Sequence, residues 1–244
     1  MIVEWGKSGW FQGMNAEYVK KRIIEIGIVP VVRASSSREA MLAVDAICSG
    51  GIPVAEITMT VPGAVEIIRE LAKTRGSDVL IGAGTVLDAE TAAQCLDAGA
   101  QFIVSPGLDV NTIELVAKRG SVIMAGALTP TEVITAWKAG ADFVKVFPCG
   151  QVGGPKYIQA LRGPLPNIPL VPTGGVNLTT AVDFILAGSA ALGVGGELVQ
   201  SSALKDGHPE IITDAARKFV ELVKLGREKL AHANGQPATQ KVRA

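Results

Sequence analysis

The sequence predicts an α/β protein, a (β/α)8 TIM barrel with an extra N-terminal helix, and three observations lead to this fold class. Eight short runs of apolar and β-branched residues recur with starts 20 to 28 residues apart. Amphipathic segments with helix start and stop signals lie between them. The chain has 244 residues, close to the roughly 250 that such a barrel needs.

Each apolar run is interpreted as a strand buried on both faces, as in parallel sheets covered by helices. The predicted strands are 28–33, 53–58, 79–84, 101–105, 121–125, 141–147, 169–173 and 190–195. Eight strands are the number that closes a barrel. The alternative is an open doubly wound sheet, which would have fewer strands and a dinucleotide fingerprint. Gly82-Ala83-Gly84 begins like that fingerprint but lacks its third glycine.

The segments between the strands predict helices, as in 37–50, 88–99 and 129–140. Each begins with a Ser, Asp or Thr that can cap free N–H groups and ends at a glycine. An extra helix over 16–26 is expected to cover the bottom of the barrel, and a long helix over 209–231 to pack outside. We therefore predict one domain over 1–232, with its core at about 16–200. The polar tail 233–244 is expected to be disordered.

Composition excludes several classes of protein. The chain has 23 Lys and Arg and 23 Asp and Glu, so no excess charge favours a nucleic acid or a membrane surface. Its apolar stretches are shorter than the roughly 20 residues of a membrane helix. The three cysteines lack metal-ligand spacing, and His208 and His232 lie near the last helix, away from the strand ends. We expect a cytoplasmic enzyme that acts on a small molecule.

Polar residues gather at the strand ends, where the catalytic mouth of such a barrel lies. Alternate residues of a strand point inward. The predicted inward sets are Val29, Val31, Arg33; Val54, Glu56, Thr58; Ile81, Ala83, Thr85; Ala141, Phe143, Lys145; and Val171, Thr173. Five strands would thus bring Arg, Glu, Thr, Lys and Thr to one end of one cavity.

Lys145 is the strongest single signal, because it interrupts a strand between Val144 and Val146. Burial disfavours an ammonium relative to a neutral amine, and a neutral amine can attack a carbonyl carbon. The alternative is a lysine that extends from the strand end into water. With the other polar strand ends around it, we predict a Schiff-base nucleophile that captures a 2-keto acid.

Glu56 lies within the apolar run 54–59, where a carboxylate is unfavourable without a partner. A carboxyl group beside a Schiff-base lysine can move protons, directly or through a water. The alternative is a buried ion pair that only neutralises Lys145 or Arg33. The two roles are compatible.

The remaining candidates would bind the anionic ends of a substrate. Arg33, Thr85 and Thr173 suit a pyruvate carboxylate, since they offer one cation and two hydroxyl donors. Gly174-Gly175 and Gly195-Gly196 follow the last two strands, where barrels of this kind bind phosphate through bare N–H groups. Tight turns alone would explain those glycines equally well.

These motifs together resemble the 2-keto-3-deoxy-6-phosphogluconate (KDPG) aldolase and 4-hydroxy-2-oxoglutarate (KHG) aldolase family. The matching segments are PVVRA (30–34), EITMTVP (56–62), IGAGTV (81–86), FIVSPG (102–107), TPTE (129–132), FVKVFP (143–148), GGPK (153–156) and PTGGVN (172–177). The resemblance implies cleavage to pyruvate and an aldehyde without metal or cofactor. It implies Lys145 as the Schiff-base lysine, Glu56 as the acid–base group and Thr85 and Thr173 near pyruvate. It also implies a homotrimer.

The chain departs from the family's pattern at positions that bear on the substrate. Many members have an arginine where this chain has Thr60, and Arg33 would have to replace it. An acidic residue of the family is Gly150 here. A serine often used for phosphate is replaced by Gly196, and Glu197 follows, which would repel a phosphate unless it points away. We therefore expect a phosphorylated keto-deoxy sugar acid but expect the side chain of Glu197 to face elsewhere.

Three other functions fit parts of the pattern. An aldolase for 4-hydroxy-2-oxoglutarate or an unphosphorylated acid is favoured by Glu197 and opposed by the glycine loops. A phosphate-barrel isomerase or epimerase would share those loops but not a buried lysine. A non-catalytic trimeric scaffold would not need the Lys145 and Glu56 pair.

Overall fold

The computed structural model of the chain describes residues 16–233. The strands are β1 (Ile28–Val32), β2 (Val54–Thr58), β3 (Leu80–Gly84), β4 (Phe102–Val104), β5 (Val122–Ala127), β6 (Phe143–Val146), β7 (Leu170–Pro172) and β8 (Leu192–Val194). The helices are α1 (Ala16–Ile26), α2 (Ser37–Ser49), α3 (Ala64–Arg75), α4 (Ala89–Asp97), α5 (Val110–Lys118), α6 (Pro130–Lys138), α7 (Pro155–Arg162), α8 (Ala181–Leu186), α9 (Ser201–Lys205) and α10 (Pro209–Ala233). A 3-10 turn over Cys149–Val152 precedes α7.

The strands pair in parallel in the order β7-β6-β5-β4-β3-β2-β1-β8. A further bridge between Thr173 and Gly193 links the ends of this sheet. The result is a nearly closed ring of eight strands with helices outside, which confirms the predicted fold class. Each predicted strand boundary lies within two residues of the observed one, because the apolar runs are the segments buried on both faces.

Side-chain caps begin the helices as their sequences predict, except that the first cap is Ser36 and not Ser37. Ser36 accepts a hydrogen bond from Glu39 N, and Asp88 from Thr91 N. Thr129 and Glu132 cap each other's backbone at the start of α6. These caps end the loops that follow β1, β3 and β5, and they keep those loops short at the mouth of the barrel.

The bottom of the barrel is closed by α1, as predicted. This helix packs against β1 and β5, and Lys20 Nζ lies 3.4 Å from Asp142 Oδ1, just before β6. The final helix packs against α2 and α8. It ends at Ala233, two residues later than expected, and the remainder of the expected disordered tail lies outside the described residues. Over 16–233, no helix is long and apolar enough to cross a membrane.

Candidate active site

The register of the sheet determines which residues share the inner face of the barrel, since residues paired in register project to the same side. Around the barrel the residues of this face include Val31, Glu56, Gly82, Phe102, Val122, Gly126, Lys145, Val171, Thr173 and Gly193. The side chains of Glu56 on β2 and Lys145 on β6 meet although their strands are not neighbours. They therefore meet inside the ring.

The predicted inward set of β3 is wrong by one residue. Gly82 pairs with Glu56 and Gly84 with Thr58, so the two glycines face inward and Ile81 and Ala83 face the helices. The sequence suggested the opposite face because alanine and isoleucine fill the interior of a barrel better than glycine does. Thr85 follows the end of the strand in a left-handed conformation (φ 57°), which interrupts the alternation of sides.

Lys145 and Glu56 form a buried pair near the C-terminal ends of their strands. The distance from Lys145 Nζ to Glu56 Oε1 is 3.8 Å, and the side chains are 6% and 2% exposed. The ammonium position also lies 5.5 Å from the centre of the Phe147 ring. Within the described part of the chain, Glu56 Oε1 has no hydrogen-bond partner. A buried oxygen of this kind can bind a water or a substrate hydroxyl.

Burial raises the pKa of the Glu56 carboxyl above its ordinary value, and the nearby charges of Lys145 and then Arg33 only partly offset this. Desolvation disfavours the ionised carboxylate. Glu56 therefore keeps its proton to higher pH than a surface glutamate. A protonated carboxyl next to an amine is a group that can donate a proton and later take one back.

Two inner-face glycines provide the space for the functional side chains. A Cβ atom on Gly84 would overlap the carboxyl group of Glu56, and one on Gly193 would overlap Thr173 Oγ1. The sequence analysis missed this role. The signal that could have found it was the pair of strands IGAG and LGV, in which glycine interrupts an otherwise apolar inner face.

A third glycine admits a loop to the mouth. On β5, Gly126 pairs with Lys145, and a Cβ atom there would overlap Pro106 and Gly107 of the loop after β4. Buried Ser105 fixes this loop, since its Oγ accepts from Gly126 N at 3.0 Å and donates to Gly107 O at 2.8 Å. The loop thus closes over β5 beside the lysine.

The three predicted carboxylate ligands lie at the mouth in different settings. Thr173 is 5% exposed, and its hydroxyl has no partner among residues 16–233. Thr85 is half-buried. Arg33 is exposed one residue beyond β1 and forms no salt bridge within the described part of the chain, and its Nη1 lies 4.0 Å from a Cβ position on Gly195. Its guanidinium thus lies beside the loop after β8.

The glycine loops after β7 and β8 expose unpaired amides. Gly150 N donates to Gly174 O at 2.8 Å, and Leu198 N and Val199 N donate to Gly195 O. The bridge between Thr173 and Gly193 pairs the Gly174 N–H with the end of β8, whereas the N–H groups of Gly175, Gly195 and Gly196 donate to no group in residues 16–233. A turn over residues 196–198 follows β8, so the strand does not continue to Glu197, which is exposed.

Cys149 is buried behind the loop after β7, where its N–H donates to Thr173 O over 2.9 Å. Burial raises the pKa of the Cys149 thiol to about 12, which disfavours the thiolate that a nucleophilic cysteine needs. Over the described residues, no three His, Cys, Asp or Glu side chains form a group that could hold a metal.

The fold and the site together define a class of protein, a (β/α)8 barrel with a buried lysine–glutamate pair at the mouth where such barrels have their active sites. The chain belongs to the KDPG and KHG aldolase family, whose model matches residues 19–215. It is 35% identical over 199 residues to the KHG/KDPG aldolase of Escherichia coli (strain K12), covering 81% of this chain and 92% of that protein. The predicted family resemblance is confirmed.

Two further relatives agree. The 2-dehydro-3-deoxy-phosphogluconate aldolase of Dickeya dadantii (strain 3937) is 36% identical over 194 residues, covering 79% of this chain and 90% of that protein. A crystal structure of KDPG aldolase from Legionella pneumophila holds pyruvate as a covalent carbinolamine intermediate. It superposes with a TM-score of 0.76 at 28% identity, covering 81% and 96% of the two chains. The chain is therefore an aldolase, a lyase, and membership alone does not choose between the two substrates.

Proposed function

We propose that the chain is a class I, metal-independent aldolase that cleaves KDPG to pyruvate and glyceraldehyde 3-phosphate through a Schiff base on Lys145. The observation that carries the proposal is the buried pair, with Lys145 Nζ 3.8 Å from Glu56 Oε1. Covalent capture of pyruvate in the Legionella pneumophila relative supports the same chemistry here.

The cleavage would begin with attack of the neutral Lys145 amine on the C2 carbonyl carbon of the substrate. The carbinolamine loses its hydroxyl as water when Glu56 donates a proton, which leaves an iminium ion. Glu56, now a carboxylate, takes the proton of the C4 hydroxyl while the C3–C4 bond breaks. The electron pair of the broken C3–C4 bond moves toward the iminium ion, which gives an enamine and the free aldehyde. Protonation of the enamine at C3 and hydrolysis release pyruvate and the amine.

The anionic ends of the substrate have separate candidate sites. Arg33, Thr85 and Thr173 would bind the carboxylate, and the unpartnered Thr173 hydroxyl is a free donor for it. The two loops that contain Gly174, Gly175, Gly195 and Gly196 would bind the phosphate, through the bare amides of Gly175, Gly195 and Gly196. Because Arg33 lies beside Gly195, its charge would act on both groups.

Borohydride trapping tests the nucleophile. With pyruvate and borohydride, we expect a reduced adduct at Lys145 in a peptide map of the wild-type protein. Lys145→Met should give no adduct, whereas Lys138→Met, a change of an exposed lysine on α6, should label like the wild type. An adduct at another lysine, or full activity of Lys145→Met, would contradict the mechanism.

A second candidate is cleavage of 4-hydroxy-2-oxoglutarate or an unphosphorylated acid, which is favoured by exposed Glu197 beside the glycine loop. We expect Glu197 to point away and the phosphorylated substrate to be preferred by at least about tenfold in kcat/KM, roughly 1.4 kcal/mol. Steady-state pyruvate release from the matched acids measures this ratio. Equal efficiency on both would favour the second candidate.

A further inference from the structure

Two threonines at the end of β2 form a hydrogen-bonded chain from the barrel interior to its mouth. Thr58 lies two residues beyond Glu56 on the inner face and is fully buried. Its Oγ1 donates to Val32 O over 3.1 Å. Thr60 is exposed in the turn that follows, and its Oγ1 lies 2.7 Å from Thr58 Oγ1.

The direction of these two hydrogen bonds follows from counting protons. A threonine hydroxyl has one proton and two lone pairs. A carbonyl oxygen can only accept, so the contact with Val32 uses the proton of Thr58. The contact between the threonines must then use the proton of Thr60. Because buried Thr58 has no water to replace a lost partner, this arrangement alone satisfies both contacts.

Thr60 therefore presents only an acceptor to the mouth. Its neighbours around the ring present donors: the Arg33 guanidinium after β1 and the bare amides of Gly195 and Gly196 after β8. Since β8, β1 and β2 are adjacent, donors and the acceptor lie side by side along one arc of the rim. An anionic oxygen next to Thr60 would meet lone pairs, whereas a hydroxyl could donate to them.

We propose that Thr60, oriented by Thr58, is a specificity-determining residue that accepts a hydrogen bond from a hydroxyl on the aldehyde half of the substrate. Thr58 is a positioning residue, because it acts only through the Thr60 proton. The inference rests on the proposed function and adds to it. The end of β2 at the mouth of the barrel would favour a neutral hydroxyl group of the substrate over a second anionic group.

The test is the reverse reaction, addition of pyruvate to two aldehydes of equal charge. One is glyceraldehyde 3-phosphate, and the other is 3-oxopropyl phosphate, which lacks the hydroxyl next to the aldehyde carbon. We expect the wild type to prefer the hydroxylated aldehyde by about tenfold in kcat/KM, the scale of one hydrogen bond. Thr60→Val should bring that ratio close to one, and Thr60→Ser should restore it.

Two more variants separate this role from a general effect of losing a hydroxyl. Thr58→Val should lower the same ratio, because the Thr60 proton is then free to turn toward the mouth. Thr74→Val removes an exposed hydroxyl that donates to Glu70 O on α3, and it should keep the wild-type ratio. A lowered ratio in Thr74→Val would overturn the inference.

Failure of the inference and failure of the proposed function give different results. If Thr60→Val keeps the wild-type ratio while borohydride still traps pyruvate at Lys145, the inference is overturned and the aldolase mechanism stands. If the wild-type protein gives no adduct at Lys145, the mechanism is overturned, and the inference with it.

Discussion

The chemistry of Glu56 depends on its surroundings more than on its residue type. Its side chain is 2% exposed, and its burial raises the pKa of the carboxyl. Lys145, 3.8 Å away, shares the same buried volume. In water both groups would be fully charged at neutral pH. Inside the barrel desolvation disfavours the ionised carboxylate, so Glu56 can hold the proton that the proposed dehydration of the carbinolamine needs.

Glu56→Gln removes the titrating proton and keeps the shape of the side chain. We expect turnover to fall by at least about a hundredfold, the usual scale for a general acid–base group. Pyruvate trapping at Lys145 should persist at a reduced rate. Steady-state pyruvate release and adduct formation measure the two effects. Turnover near that of the wild type would mean that another group moves the protons.

The Glu56→Gln variant also tests the raised pKa, through the pH dependence of the free energy of unfolding. The ordinary pKa of a glutamate is 4.5, and burial raises that of Glu56, so the folded state binds this proton more tightly than the unfolded state. The contribution of Glu56 to stability is fully present below pH 4.5 and is lost as pH rises through the raised pKa.

Glutamine does not titrate, so the variant should gain stability relative to the wild type as pH rises above that ordinary value. Urea denaturation from about pH 4 to 8 gives the difference in free energy of unfolding. In a Lys145→Met background the relative gain should be larger, because the charge that lowers the Glu56 pKa is gone. A difference that shrinks with rising pH would contradict the raised pKa.

At the scale of elements, β2, β3 and β6 position the site jointly. Glu56 lies on β2 and Lys145 on β6, but the space for the carboxyl group is provided by Gly84 on β3. The register that pairs Thr58 with Gly84 puts this glycine beside the Glu56 side chain, one step nearer the mouth. Any side chain at Gly84 would have to move the carboxyl group away from the lysine.

Gly84→Ala tests this dependence. We expect lower stability by about 1–3 kcal/mol, the usual cost of overpacking a core, and a loss of turnover comparable to that of Glu56→Gln. Urea denaturation and pyruvate release report the two effects.

The matched control is Gly163→Ala, in an exposed position at the end of α7. Its backbone is right-handed (φ −51°), and a Cβ atom would have its nearest neighbour at 3.5 Å. The control should keep both stability and activity. Wild-type kinetics of Gly84→Ala would show that Glu56 acts from another position.

At the scale of the whole molecule, the two ends of the barrel have different tasks. The polar residues and bare amides gather at the mouth, whereas the bottom is closed by α1 and held by α10. Arg227 of α10 donates from Nη1 to Glu25 O at 2.6 Å and from Nη2 to Ile24 O. It thereby satisfies the last carbonyl groups of α1 and joins two helices that are more than two hundred residues apart.

Arg227→Ala should therefore affect stability and spare catalysis. We expect the free energy of unfolding to fall by about 1.5–3 kcal/mol, the scale of hydrogen bonds to a charged group. The kcat/KM of the folded protein should stay within about twofold, as expected for the stability face of a barrel. Arg217→Ala, which breaks only an exposed pair with Asp214 on α10, should change neither quantity much. A catalytic defect in Arg227→Ala would show that the bottom is coupled to the mouth.

The sequence by itself determined the strand order, the strand positions, the extra helix and the candidate pair Lys145 and Glu56. It could do so because these depend on local periodicity and on charged residues placed where an apolar one is expected. Only the tertiary structure decided that Gly82 and Gly84 face inward and that Gly84 and Gly193 make room for Glu56 and Thr173. It also decided that the hydroxyl groups of Thr58 and Thr60 lie within hydrogen-bonding distance. Those facts depend on the register between strands and on the direction of hydrogen bonds across them. The sequence of a single strand does not encode its register, because the register is fixed only when the strand pairs with its neighbours in the ring of eight.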